Sequence, residues 1–139
     1  TADATLKAMR AFGAVDEEVC RWTCSIVARM STHEAHQKRF VELGAMEEVV
    51  RQGDAWLAAG RADILVDVCY ALTYMIGSLE DASRLVSAGG CRVSLLALQR
   101  WGTTDKSLSR WSSQALAQSL YYSPSTIAPR LDAASAVEA

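Results

Sequence analysis

An all-α fold, a right-handed solenoid of three-helix repeats, is what this sequence predicts, and three observations predict it. Residues recur at a displacement of 45 positions: Cys24 and Cys69, Met30 and Met75, Arg39 and Arg84, Val41 and Val86, Gly44 and Gly89, Trp56 and Trp101. Apolar residues between these landmarks follow helical rather than strand spacing. Glycines then fall where the periodic runs stop, at Gly13, Gly44, Gly60, Gly89 and Gly102, positions suited to the left-handed residue that ends a helix.

The helices expected from these signals span 5–12, 16–30, 33–43, 45–58, 62–76, 80–88, 91–101, 105–121 and 125–133, with no strand. Ser31 to Glu34 has a capping-box pattern, Asp105 is placed to cap the helix containing Leu108, and Pro124 after Ser123 suits a first helical turn. The central helix at 62–76 has the clearest division of faces. Ile64, Leu65, Val68, Cys69, Ala71, Leu72, Met75 and Ile76 make a core stripe, and Asp63, Asp67, Tyr70 and Tyr74 lie on another.

A third copy follows at a displacement of 44 to 46, placing Ala115, Leu116 and Leu120 on Ala71, Leu72 and Ile76, and Arg130 and Leu131 on Arg84 and Leu85. Upstream, LKAMRAFG (6–13) matches LLALQRWG (95–102). The chain therefore divides into a partial repeat 1–30, repeats 31–77 and 78–122, and a partial repeat 123–139, the arrangement expected of a segment of a longer protein. A three-helix unit cannot bury its apolar faces alone, so neighbouring units must stack.

Composition narrows the function. With 139 residues, half of them apolar, and a formal charge of −2, the chain lacks the strongly basic balance of a nucleic-acid or anionic-membrane binder. No apolar run reaches the 18 or so residues of a membrane span, and the N-terminal stretch has no signal-peptide segment. An intracellular, cytoplasmic protein is expected. Cys20, Cys24, Cys69 and Cys91 sit within apolar helical patterns and read as reduced core thiols.

The stretches RFVELGAMEEVV (39–50) and RLVSAGGCRVSLL (84–96), with VCYALTYMI and SQALAQSL, resemble armadillo repeats, in which a glycine separates the first helix from the second. HEAT repeats, with two helices and usually no such glycine, are the second choice. The resemblance implies a scaffold that binds a partner in a concave groove lined by third helices. In nuclear-import receptors of the armadillo class those helices carry a tryptophan and, four residues on, an asparagine. Here the two slots hold Ser25 and Arg29, Tyr70 and Tyr74, and Gln114 and Gln118, so recognition of nuclear-localisation peptides is not implied. The proline usual early in the second helix is missing as well.

Candidate chemistry is sparse. Cys20, Cys24, His33 and His36 are residue types that zinc prefers, yet Cys24 aligns with Cys69 and Cys20 with Leu65, as core positions would, while the histidines align with Ser78 and Asp81. No metal or other cofactor is expected. No GxSxG elbow, HExxH or glycine-rich phosphate loop occurs, and Glu17, Glu18, Glu47 and Glu48 read as helix-start carboxylates. An enzyme is not expected.

The tryptophans divide by repeat position. Trp56 and Trp101 share a place with Phe12 at the end of the second helix and read as packing; Trp22 and Trp111 share a place with Asp67 at the start of the third-helix stripe. That stripe is the expected partner-binding set: Trp22, Ser25 and Arg29; Asp67, Tyr70 and Tyr74; Trp111, Gln114 and Gln118. Spacings of three and four place each trio on one side of its helix. A protein or peptide is the expected partner. A docking or oligomerisation segment is the alternative, an enzyme or metal-binding domain is third, and nucleic-acid binding through Arg21, Arg29, Arg110 and the tryptophans is fourth. Self-association through the ends is expected to use Leu6, Met9 and Phe12 at one and Tyr121, Leu131 and Val137 at the other.

Overall fold

In the computed structural model, which describes residues 1–122, 124, 125 and 127–129, the regular structure is entirely helical. The helices are α1 (Ala2–Phe12), α2 (Glu17–Met30), α3 (Glu34–Glu42), α4 (Ala45–Ala58), α5 (Ala62–Met75), α6 (Leu79–Ala88), α7 (Gly90–Trp101) and α8 (Lys106–Tyr122). Residues 124, 125 and 127–129 are helical too, Pro124 among them; the rest of the helix expected at 125–133, with Leu131 and Val137, lies outside the described residues.

The helix ends have identifiable causes. Asp16, Ser78 and Asp105 cap α2, α6 and α8, their side-chain oxygens accepting from the Val19, Asp81 and Leu108 amides at 3.1, 3.1 and 2.9 Å. The capping box expected at Ser31 does not form. Ser31 terminates α2, its amide donating to the Val27 carbonyl, so α3 starts two residues late for it, with His33 as an N-cap that makes no side-chain bond. Gly44 and Gly89 adopt the expected left-handed conformation, at φ 86° and 95°, and join α3 to α4 and α6 to α7. Gly13 and Gly102 do not, having φ of −61° and −60°. Gly13 is needed for a different reason: a Cβ there would stand 2.3 Å from Nε2 of Gln52.

Packing follows the apolar stripes. All eight residues expected in the core of the central helix region are buried, from Ile64 to Ile76. α5 touches α2 on one side and α8 on the other, while α4 similarly touches both α1 and α7; α3 packs on α4 and α5, and α6 on α7 and α8. Burying each Leu, Ile or Val of this set contributes roughly 1.5–3 kcal/mol before chain entropy is counted.

Polar links also tie the helices together. Arg39 pairs with Asp3 at 3.5 Å and Arg84 with Glu47 at 2.6 Å. The Gly13 carbonyl accepts the indole N–H of Trp56 at 2.9 Å, and the Leu57 carbonyl accepts from Arg100 at 3.1 Å. Trp56 is buried, and Trp101 packs partly buried against the core, as expected of that repeat position. Phe12, at the same position, is 56% exposed.

Two expected end contacts are corrected. Leu6 and Met9 are 1% and 0% exposed, because α1 turns them into the core against its neighbours; only Phe12 of that trio reaches the surface. At the other end Tyr121 is 78% exposed.

Candidate functional site

The nine expected residues lie on α2, α5 and α8, the row centred on α5. Their helical spacing is fixed by the core stripe behind them. With Val68, Leu72 and Met75 buried, Tyr70 and Tyr74 are turned to the margin of α5, Tyr74 retaining 38% exposure.

The structure brings three of the nine into one aromatic cluster. Tyr70 meets Trp111 of α8 edge-on, with ring centroids 4.6 Å apart, and meets Tyr74 at 5.2 Å; Tyr74 and Trp111 are 6.2 Å apart. Such edge-to-face pairs contribute about 0.5–1.5 kcal/mol each beyond their area. The Arg110 guanidinium lies 5.2 Å from the Trp111 ring, so this indole already presents a face to a cation. Gln114 is exposed beside the cluster, whereas Gln118 is engaged, its Nε2 donating to the Ile76 carbonyl at 3.3 Å. Gln118 therefore ties α8 to the end of α5.

The α2 trio stands apart from the cluster. Trp22 is 67% exposed and donates its indole N–H to Glu18 at 3.0 Å. Arg29 is exposed and in no ion pair among the described residues; Ser25 is half-buried. The sequence makes Trp22 and Trp111 equivalent, but Trp111 has the tyrosines of a preceding helix to lie on.

Asp67 sits between the trios, half-buried, and burial pushes its carboxyl above the usual carboxylate range against the opposing pull of Arg21. Around it runs an ion-pair network that sequence spacing did not disclose. Arg21 pairs with Asp63 and Arg61 with Glu17, both at 2.5 Å, and Arg61 also meets Asp63 at 2.9 Å. The Arg61 guanidinium holds the Asp63 carboxyl below its ordinary value. Arg21 is thereby committed to a neighbouring helix. The legible signal was opposite charges at the starts of α2 and α5, readable only once the two helices are known to pack together.

A polar groove of about 690 Å³ opens between α3, α6 and the end of α5, with Ser31, Gln37, Tyr74 and Asp81 on its wall. Gln37 is buried and bridges the elements, donating to the Met75 carbonyl at 2.6 Å and to Asp81 at 2.7 Å. Tyr74 borders both this groove and the aromatic cluster.

The cysteines belong to the core. Cys20, Cys24 and Cys69 are fully buried and Cys91 is 5% exposed; burial pushes the Cys69 thiol up to about 12, and a hydrogen bond with Cys20, with burial, raises Cys24. Buried, neutral thiols of this kind are poor nucleophiles. His33 and His36 are exposed, with rings 6.0 Å apart, on the far side of Ser31 from the cysteines in sequence. Among the described residues no group of three or more His, Cys, Asp or Glu is arranged to hold a metal, and no helix is long and apolar enough to cross a membrane.

Compared with models of known protein families, with curated proteins and with solved structures, the chain matches none of them.

Proposed function

We propose that this chain is an armadillo-like stack of three-helix repeats, acting as a non-enzymatic interaction module that holds an extended protein segment along the row formed by α2, α5 and α8. The observation that carries the reading is the partly exposed cluster of Tyr70, Tyr74 and Trp111, because it joins two helices of that row into one aromatic surface. Aromatic side chains with a polar tip supply large contact area at low entropic cost. Gln114, exposed one helical turn on from Trp111, and Arg29, exposed on α2, can bond the unpaired backbone groups of an extended segment. Four buried free thiols suit a reducing, cytoplasmic setting.

The test uses extended peptides selected from a random library against the whole chain, with affinity read by fluorescence anisotropy. Tyr74→Ala and Arg29→Ala are expected to weaken binding about tenfold each while leaving the helical circular-dichroism spectrum unchanged. Unchanged affinity in both folded variants would remove the α2, α5, α8 row as the site. The second reading, a docking segment, is favoured by one observation: the 67% exposure of Trp22 on the outer side of α2.

A further inference from the structure

The groove between α3 and α6 is lined from two stretches well inside the chain, 31–42 and 74–84, and it holds polar groups that the fold does not use. Ser31, on its wall, is 7% exposed, and its Oγ has no hydrogen-bond partner. Gln37 is 6% exposed and makes both of its side-chain bonds through Nε2, to the Met75 carbonyl and to Asp81. Those partners accept, so the amide orientation is fixed and Oε1 is left without a donor among the described residues. Asp81 is half-buried. Its Oδ2 takes the Gln37 bond and the Gly77 amide at 3.1 Å, both neutral donors, while its Oδ1 takes none among the described residues.

The scaffold does not need polarity at these places. A displacement of 45 carries Ser31 and Gln37 to Ile76 and Ala82, which are apolar and only 3% and 0% exposed. A buried hydroxyl without a partner costs stability, so its presence where an apolar side chain serves elsewhere fits an occupant that bonds it.

Charge decides the kind of occupant. Four carboxylates line the groove, Glu34, Glu42, Glu80 and Asp81, against two cations, Lys38 and Arg84. Both cations are engaged, Lys38 by Glu34 at 2.9 Å and Arg84 by Glu47 of α4 at 2.6 Å. Glu80 and Asp81 are in no ion pair among the described residues. Because α2 and α5 end at the groove while α3 and α6 begin there, helix dipoles of both signs meet, and the side chains set the net sign. What stays open is a set of acceptors beside the partly exposed ring of Tyr74. A guanidinium matches that set, with several N–H donors in one plane, no acceptor, and a flat face that lies on an aromatic ring.

We infer that this groove is a binding site for a guanidinium group, the side chain of an arginine in the extended segment held along α2, α5 and α8. Tyr74 borders both the groove and the aromatic cluster, which sets the two sites side by side. The pocket stands on its own lining; only the source of the guanidinium rests on the proposed function.

Amide chemical-shift mapping of the whole labelled chain tests it, with acetyl-arginine amide, acetyl-lysine amide and acetyl-citrulline amide as probes. Citrulline keeps the shape of arginine without its charge. The arginine probe is expected to shift the Gln37 side-chain amide and the Gly77 and Asp81 backbone amides, with the citrulline and lysine probes about tenfold weaker. Asp81→Asn keeps an oxygen for Gln37 and Gly77 to donate to and removes the charge, so it is expected to weaken the arginine probe about tenfold and leave the citrulline probe unchanged. Ser31→Ala removes a hydroxyl that the fold does not use. Its Tm is expected to hold or rise while the arginine probe weakens, a combination that a merely structural serine would not give. No shift at the groove, citrulline or lysine binding as well as arginine, or either variant binding arginine like wild type would each overturn the inference. Anisotropy with the selected peptides tests the source: exchanging their arginine for citrulline is expected to weaken binding to wild type about tenfold and to Asp81→Asn hardly at all. Peptides whose Tyr74-dependent affinity ignores both changes remove the groove and leave the row. Groove shifts from the arginine probe in a chain that binds no peptide remove the row and leave the groove.

Discussion

Gln52 is the most informative residue to change. Its side chain is fully buried in α4, its Oε1 has no partner, and its Nε2 makes two long contacts, 3.3 Å to the Met9 carbonyl and 3.4 Å to Glu48. A buried acceptor left unpaired costs about 1–3 kcal/mol, and a normal hydrogen bond returns about 0.5–1.5 kcal/mol. Contacts beyond about 3.2 Å return the low end of that range. Gln52→Met keeps the length and removes the amide without orphaning its neighbours, since Met9 O still accepts from Gly13 at 2.8 Å and Glu48 still pairs with Arg51. The expected result is a gain of about 1 kcal/mol, read by calorimetry as a rise in Tm of roughly 3–5 °C for a domain of this size. A loss of 1 kcal/mol or more would show that the amide is satisfied and that the core here depends on it, refuting the accounting.

Gly44→Ala puts a Cβ on a residue at φ 86°, and about 1–2 kcal/mol should be lost in urea titration; a smaller loss would mean that the junction after α3 relaxes easily. Cys69 has its folded pKa raised to about 12, above the unfolded value, so its contribution is complete below about pH 8.5 and is lost as pH climbs toward 12. Within that window stability should fall by about 1.4 kcal/mol per pH unit from this thiol, and Cys69→Ala should flatten that part of the profile. The Asp67 carboxyl is also held above its unfolded value, which for an acid favours the fold at low pH and penalises it at neutral pH. Asp67→Asn should therefore raise Tm at pH 7, with the difference shrinking as pH falls below about 4; a lower Tm at pH 7 would show that the attraction of Arg21 outweighs burial.

Core and element order were legible because they rest on local periodicity: the eight apolar residues from Ile64 to Ile76 are all buried, and the bounds of α4 are those expected. Glycine was legible where φ decides, at Gly44 and Gly89, and misread where space decides, because the crowding of Gly13 comes from Gln52, 39 positions away. The Ser31 pattern misled because capping needs the helix to start beside the serine, and Ser31 is spent ending α2. In the candidate site, the trio positions were readable from spacing. The union of Tyr70 and Tyr74 with Trp111, and the pairing of Arg21 with Asp63, depend on which helices lie side by side, which a single periodicity does not record.

The measurement that bears most directly on the peptide-holding row is amide chemical-shift mapping of the isotopically labelled chain, titrated with a selected extended peptide. The largest shifts should fall on Arg29, Tyr70, Tyr74, Trp111 and Gln114, including the indole resonance of Trp111, with little change along α1, α4 and α7. Shifts confined to α3 and α6, or to the α1, α4, α7 row, with the Trp111 indole unmoved, would contradict it.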